Sequence, residues 1–366
     1  MELKALLQTM LKKKASDLHL RSNKPAVFRV DGVLVAKTAE AISGDQIEQW
    51  VKSILNEHQL KTFEESMECD LALSVEEMGR FRVNVYRQRG VVNLAIRLVP
   101  KIVPSFSQLK LPAVIQKISD EPRGLVLVTG TTGSGKSTTL AAMLDYINMT
   151  RSRHIVTIED PIEYVHEDKK SIVSQRELSQ DTLSFAEALK HVLRQDPDIV
   201  LLGEMRDLET MSAALTAAQT GHLVLSTIHT IDTMQTVNRV IDIFPPHQQN
   251  QIRYQLGDTL RAVVSQRLLP HASGVGRVPA VEVMIVTPII RKYILENTLS
   301  EIGPMMKQGG YYGMQTFHQS LVSLIQSQEI TLETALEASS NPEEVMMAIR
   351  GVQTGTDNNS SFYVQP

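Results

Sequence analysis

Cysteine is almost absent, with Cys69 standing alone in 366 residues. A lone thiol excludes a disulfide framework and a CxxC pair for structural zinc. Long apolar runs are missing too, and none reaches the ~18 residues needed to cross a bilayer. There is no basic excess either: 37 Lys and Arg stand against 41 Asp and Glu, for a formal net charge of -4. That balance does not make nucleic acid the first-choice partner. The start, MELKALLQTMLKKK, puts its basic cluster after the apolar residues and lacks a small-residue cleavage site. This is the wrong order for a signal peptide. Lys12, Lys13 and Lys14 read as a solvated helix end, with contact to an anionic membrane as the alternative. A cytosolic protein is expected. Its length exceeds what one core usually organises, so two domains are expected.

What is present divides by texture. Residues 1–100 alternate short strands with a helix. VFRVDGVLV reads as a hairpin around Asp31-Gly32, DQIEQWVKSIL has helical periodicity, and RFRVNVYRQRGVVNLAIRLVP gives two strands turning at Gly90. Pro100, Pro104, Pro112 and Pro122 then suggest a linker over 101–122. From Arg123 the continuous apolar runs GLVLVT, HIVTI, DIVLL and HLVLST alternate with helical stretches. Such runs are buried on both faces, as in a parallel sheet flanked by helices, and predict an α/β domain over 123–290. A helical region over 291–350 and a disordered tail over 351–366 follow.

LVLVTGTTGSGKSTTLAAMLDYI fits the phosphate-loop pattern G-x-x-x-x-G-K-[ST] from Gly130 to Ser137. Glycines let consecutive backbone N–H groups curl round phosphates, and the helix that follows points its positive end at them. Thr132, Gly133, Ser134, Gly135, Lys136, Ser137 and Thr138 are the binding candidates. Lys136 would reach the β and γ phosphates of ATP, and the Ser137 hydroxyl would hold Mg²⁺. A strand before the loop and a helix after it are the context that separates this motif from a chance glycine-rich turn.

Hydrolysis also needs an acid on the metal side and a group that positions water. Glu204, at the end of DIVLLGEMRD, is the acid expected to hold Mg²⁺ through water, although Gly203 stands where a Walker B aspartate is expected. Glu159, Asp160, Glu163 and Glu167 crowd TIEDPIEYVHE, and their mutual repulsion hints at a purpose. Glu163 is the candidate for activating water. His222 and His229 bracket TGHLVLSTIHT at an odd offset. Side chains alternate along a strand, which argues against one ion held by both rings.

GTTGSGKSTT, TIEDPIEYVHE, LLGEMRDLET and TGHLVLSTIHT, in that order and spacing, resemble the four nucleotide boxes of secretion-type AAA-like ATPases. ASDLHL and PIIRKYILE narrow the resemblance to the PilT family, the retraction motors of type IV pili. It runs from about residue 3 to residue 340. It implies a PAS-like N-terminal α+β domain over 1–100, a RecA-like ATPase domain and a homohexameric ring. It also implies ATP and Mg²⁺ bound at Lys136 and Ser137, Glu163 as the catalytic glutamate and Glu204 as the Walker B acid. His222 and His229 match the histidine box, which links the γ-phosphate to neighbouring groups. His222 reads equally well as a packed or partly exposed histidine. Arg82 and Arg97, on their own a solvated sheet face, would reach a nucleotide as arginine fingers.

The implied partners are an inner-membrane, PilC-like pilus platform protein and a paralogous motor. The implied location is the cytoplasm, peripheral at the inner membrane. Thr131 departs from the family's usual proline, and Lys292 interrupts a C-terminal motif tied to retraction. That departure keeps an accessory PilU-like ring open as a function. An assembly or secretion ATPase is the other alternative, but such relatives carry a four-cysteine zinc module that Cys69 alone cannot make.

Overall fold

A computed structural model describes residues 2–30, 32–36 and 41–350 of the chain. Asp31, within the expected hairpin turn, and the expected tail at 351–366 lie outside the described residues. The chain forms two compact units, one of residues 1–102 with 162–165 and the other of 103–161 with 166–366. The 162–165 segment, expected within the second domain, belongs with the first unit. Its Val165 N–H donates to Pro100 O, so the turn after Pro161 hydrogen-bonds into the first unit.

The first unit opens with helix α1 (Leu3–Lys12) and strands β1 (Asp17–Arg21), β2 (Val27–Val30) and β3 (Val33–Ala36). Helices α2 (Gly44–Ile54) and α3 (Glu57–Ser66) follow, then β4 (Glu68–Val75), β5 (Gly79–Gln88) and β6 (Val91–Leu98). One antiparallel sheet results, in the order β3-β2-β1-β6-β5-β4. Its register follows from alternation, because Phe81, Val83 and Val85 of β5 and Val92, Leu94 and Ile96 of β6 are all buried. The apolar face packs with Leu6, Leu7 and Met10 of α1 and Ile47 and Val51 of α2. The helix starts are written in the sequence: Ser43 caps α2, and Asn56 with Gln59 forms a capping box on α3.

In the second unit, the stretch expected as a linker contains helix α4 (Val114–Ser119). Its Ile115 and Ile118 are buried in the same cluster as Val126 and Val128, so the latter half of that stretch is part of the core. Strand β7 (Gly124–Thr129) leads into α5 (Lys136–Thr150), followed by β8 (His154–Glu159), β9 (Ile172–Glu177) and α6 (Phe185–Val192). Next come β10 (Ile199–Leu202), α7 (Leu208–Gln219), β11 (Leu223–Ile228), α8 (Thr233–Asp242) and α9 (Pro246–Thr259). Strands β12 (Leu260–Pro270) and β13 (Arg277–Ile285) complete a sheet of order β13-β12-β7-β11-β10-β8-β9. It is parallel except for β13, which pairs antiparallel with β12. Every residue of β7, β10 and β11 is buried. Alternate residues feed two cores, Leu125 and Leu127 into one and Val126 and Val128 into the other. Helices α10 (Pro288–Leu295), α11 (Ile302–Gln308), α12 (Phe317–Gln326), α13 (Leu332–Ala338) and α14 (Pro342–Ile349) form the helical C-terminal region.

Candidate functional site

Parallel strands bring their C-terminal ends to one edge of a sheet, where loops converge. Strand β7 ends at Thr129, and Gly130–Gly135 turns the chain straight into α5. Gly130 has φ +143°, and a Cβ there would lie 2.4 Å from the Gln266 carbonyl oxygen and 2.5 Å from Ser134 Oγ. No other residue fits this turn. Gly135 caps α5 in the left-handed region, which aims the helix's free N–H groups at the loop.

Lys136 is buried, and its Nζ donates to Gly130 O at 2.9 Å and Thr131 O at 3.0 Å. Burial lowers its pKa, against the opposing charge of Glu204. Phosphate oxygens, carrying full charge, are stronger acceptors for that ammonium than peptide carbonyls. Thr132, Gly133 and Ser137 are exposed beside it and Thr138 is half-buried. Ser134 Oγ and Gln266 Oε1 are buried with no hydrogen-bond partner among the described residues. A glycine-walled cradle with a buried ammonium fits a nucleotide's phosphates. Ser137 and Glu204 supply hard oxygen donors of the kind Mg²⁺ takes. Among the described residues no three His, Cys, Asp or Glu cluster as a metal site. An ion held here would therefore draw further ligands from water and phosphate.

Glu204 follows β10 by two residues. Its Oε1 accepts from Arg206 Nε at 2.7 Å and lies 3.3 Å from His229 Nε2. Burial works against its charge, but the Arg206 hydrogen bond and the nearby His229, Arg206 and Lys136 hold the carboxyl below the usual range. Gly203 has a physical reason to replace the expected aspartate. A Cβ there would lie 3.3 Å from Glu159 Cα and 3.4 Å from Ile158 O, so the end of β8 accepts a side chain only by shifting a few tenths of an ångström. Thr227 Oγ1 donates to Gly203 O at 2.7 Å and the Met205 N–H to Thr227 O, fixing the Glu204 turn from β11. Glu159 accepts from Thr157 Oγ1 and Gln175 Nε2, and Asp160-Pro161 is a cis peptide.

The two histidines separate. Strand β11 pairs Leu223 with Gly124 and Ile228 with Thr129. His229 therefore lies at the phosphate-loop end, 42% exposed, against Glu204. His222 precedes the strand's other end, about 20 Å along at ~3.3 Å per residue. Its Nδ1 is 2.9 Å from Ala217 O and 3.2 Å from Thr220 Oγ1. The nucleotide-binding role expected of His222 is thus not met within the chain, because parallel register carries it away from the loop. Both rings flank the strand rather than lying in it.

Glu163 is exposed on the 162–165 segment that belongs with the first unit. Arg82 and Arg97 are also in that unit, directly opposed on β5 and β6 and both exposed. Arg97 Nε donates to Asp17 Oδ1 at 2.8 Å, and Arg29 lies 3.7 Å from the other oxygen. Burial opposes the charge on Asp17, but hydrogen bonds from Ser16 and Arg97 keep its carboxyl low.

Sequence reasoning missed Arg206, Gln266 and Glu282. Glu282 accepts at Oε1 from both Thr233 N and Thr233 Oγ1 (2.9 Å each) and at Oε2 from Phe317 N (3.3 Å). Its signal was available as one acid inside the apolar run VPAVEVMI.

The sequence matches the family described as "Type II/IV secretion system protein" over residues 1–339. The chain belongs to that family. It is 46% identical over 343 residues to the "Type IV pilus retractation ATPase PilT" of Pseudomonas aeruginosa, covering 94% of this chain and 99% of that protein. The same organism's "Type IV pilus ATPase PilU" is 40% identical over 363 residues, covering 99% of this chain and 95% of that protein. The crystal structure of the pilus retraction motor PilT with bound ADP superposes with a TM-score of 0.88 at 44% identity, covering 94% of this chain and 98% of that one. The fold of this family member is accordingly α/β, an antiparallel N-terminal sheet followed by a mixed, mostly parallel one.

Proposed function

We propose that the chain hydrolyses ATP at the Lys136 loop to drive retraction of a type IV pilus, as a PilT-like retraction ATPase. One observation carries the reading. A buried lysine folded onto a glycine cradle shares its sheet edge with an acid, Glu204, which is paired to His229. The 46% identity to a PilT over nearly the whole chain supports the same function.

Lys136 exchanges the Gly130 and Thr131 carbonyls for the β and γ phosphates. Ser137 and, through water, Glu204 would hold Mg²⁺, which when bound would supply charge neutralisation at the transferring phosphoryl group. Glu163 takes the proton of the attacking water. His229, held by Glu204, reads the terminal phosphate. Arg82 and Arg97 act as fingers across a homohexameric ring, where an arginine offsets developing charge. The first unit takes the PAS-like role and the second the RecA-like role. The motor works in the cytoplasm, peripheral at the inner membrane, on a platform protein there. Among the described residues no helix is long and apolar enough to cross a membrane.

A second reading, an accessory PilU-like ring that assists an active motor, is favoured by the 99% coverage of this chain in the match to a PilU. Gene deletion with labelled pili separates the functions. Static, overabundant pili are expected for the retraction motor. Retraction weakened but present marks the accessory ring, and bald cells an assembly ATPase.

A further inference from the structure

Past His229 the chain builds a line of hydroxyls, half-buried at Thr230 and fully buried beyond it, with no part in the chemistry above. Thr230 Oγ1 lies 2.7 Å from Thr236 Oγ1. Thr236 offers its proton to Asp232 O at 2.7 Å and, at 3.4 Å, to Thr129 Oγ1. Thr129 Oγ1 in turn lies 2.7 Å from Ser265 Oγ. Thr129, Thr236 and Ser265 are all 0% exposed. With its one proton held by Asp232 O and shared only weakly with Thr129, Thr236 accepts from Thr230, so every hydroxyl in the line has a partner.

The line's two ends matter more than its middle. Thr129 is the last residue of β7, directly before Gly130. Thr230 directly follows His229, beyond the last paired residue of β11. Ladder hydrogen bonds fix the two strands side by side only as far as Ile228 and Thr129. Beyond that point, Thr236 ties the segment leaving His229 to the residue entering the phosphate loop. Ser265, level with Thr129 on β12, anchors the line from the far side. A satisfied buried polar network is rigid and specific in geometry in a way that apolar packing is not.

We propose that this hydroxyl line, centred on Thr236, positions His229 relative to the phosphate loop, making Thr236 a positioning residue for hydrolysis. The inference rests on the nucleotide reading given above. Rate is steeply sensitive to small displacements of groups around a reacting centre. Binding through Lys136 and the loop backbone does not depend on the line.

Two variants divide hydroxyl from volume. Thr236→Val keeps the shape and removes the hydroxyl, whereas Thr236→Ser keeps the hydroxyl and removes the methyl. Thr236→Val is expected to lower kcat roughly tenfold, with KM for ATP and Kd for fluorescent ADP within about twofold of the parent. Thr236→Ser should keep about half or more of the parental kcat, even where its melting temperature falls further than that of the valine variant. Ser265→Ala, at the far end, should cost about threefold, and Thr236→Val with Ser265→Ala should be no slower than Thr236→Val alone. A valine variant at the parental rate, a serine variant slower than the valine one, or losses that simply multiply would each overturn the proposal. The nucleotide reading has its own control. Undiminished binding of fluorescent ADP by Lys136→Ala would defeat that reading, whereas the hydroxyl line stands or falls on the kcat pattern.

Discussion

The two units handle charge in different ways. In the second, a parallel sheet gathers Lys136, Glu204 and His229 at one edge, and each is held by neighbours within its own unit. In the first, an antiparallel sheet spreads Arg29, Asp17, Arg97 and Arg82 in one row across four strands, Arg97 and Arg82 standing opposed and exposed. Like charges directly opposite are unfavourable in a sheet. Asp17 relieves Arg97, the nearer of the two to its carboxylate. One unit is thus a site closed on itself, and the other is an open cationic face suited to an anion from outside it. Parallel topology concentrates chemistry within a unit, whereas an antiparallel face offers it outward.

The largest effects should come from Lys136 of the closed site and from Glu163, the acid that the first unit's 162–165 segment carries. Lys136→Ala is expected to abolish detectable nucleotide binding, read by fluorescent ADP titration. Glu163→Gln should leave binding near the parental level and lower turnover by ~10²-fold or more, the scale of general-base loss. A turnover within a few-fold of the parent would remove Glu163 from the mechanism and leave the second unit to supply its own base.

Next in size is a test of the open face. Arg97→Ala rings and Glu163→Gln rings should each be nearly inactive. If arginines act across subunits, mixing the two after subunit exchange creates interfaces with every group intact, and single-turnover hydrolysis recovers. If Arg97 serves its own chain, no complete site forms and nothing recovers, with exchange shown separately by fluorescence transfer. That outcome would erase the distinction between inward and outward units.

A smaller effect is expected where the closed site is tightest. Gly203→Ala puts a methyl 3.3 Å from Glu159 Cα, closer than ordinary contact, so the Glu204 turn must shift by a few tenths of an ångström. Turnover should fall roughly tenfold at most, with nucleotide binding kept. An unchanged rate would show that the Glu204–His229 geometry has slack.

Much of this was legible in the residues, for identifiable reasons. GLVLVT and HLVLST read as buried strands because both faces are apolar, and the phosphate loop reads because Gly130 and Gly135 have backbone roles that no other residue fills. Alternation in RFRVNVYR gave the arginine face of β5 directly. What escaped depends on contacts distant in sequence. Helix α4 was hidden among prolines, and only its packing against β7 shows why Ile115 and Ile118 are apolar. His222 matched a motif, yet parallel register sends it to the wrong end of β11. Thr129, Thr236 and Ser265 look ordinary one by one, and only the fold brings their hydroxyls together. Glu282 was visible as an acid in an apolar strand, but its partners are the first turns of α8 and α12.

The smallest expected effect sets the two units' buried acids against each other, because Asp17 and Glu282 should respond to pH with opposite signs. In Asp17, bonds from Ser16 and Arg97 outweigh burial and lower the folded pKa. Its stabilisation is present above the unfolded value of about 3.9 and is lost as the pH falls through the folded one. In Glu282, burial outweighs the bonds from Thr233 and Phe317 and raises the folded pKa. Its contribution is full below the unfolded value of about 4.3 and is lost as the pH rises through the folded one. The gap in melting temperature between parent and Asp17→Asn should widen from about pH 3 to pH 5, while the gap between parent and Glu282→Gln should narrow from about pH 4 upward. Trp50, the chain's one tryptophan, packs against the first unit's core, so its fluorescence reports the Asp17 comparison. Calorimetry of the second unit's transition reports the other. Gaps that move in the same direction would mean that Glu282 is stabilised as a carboxylate by the two helix starts it caps, their positive ends outweighing its burial.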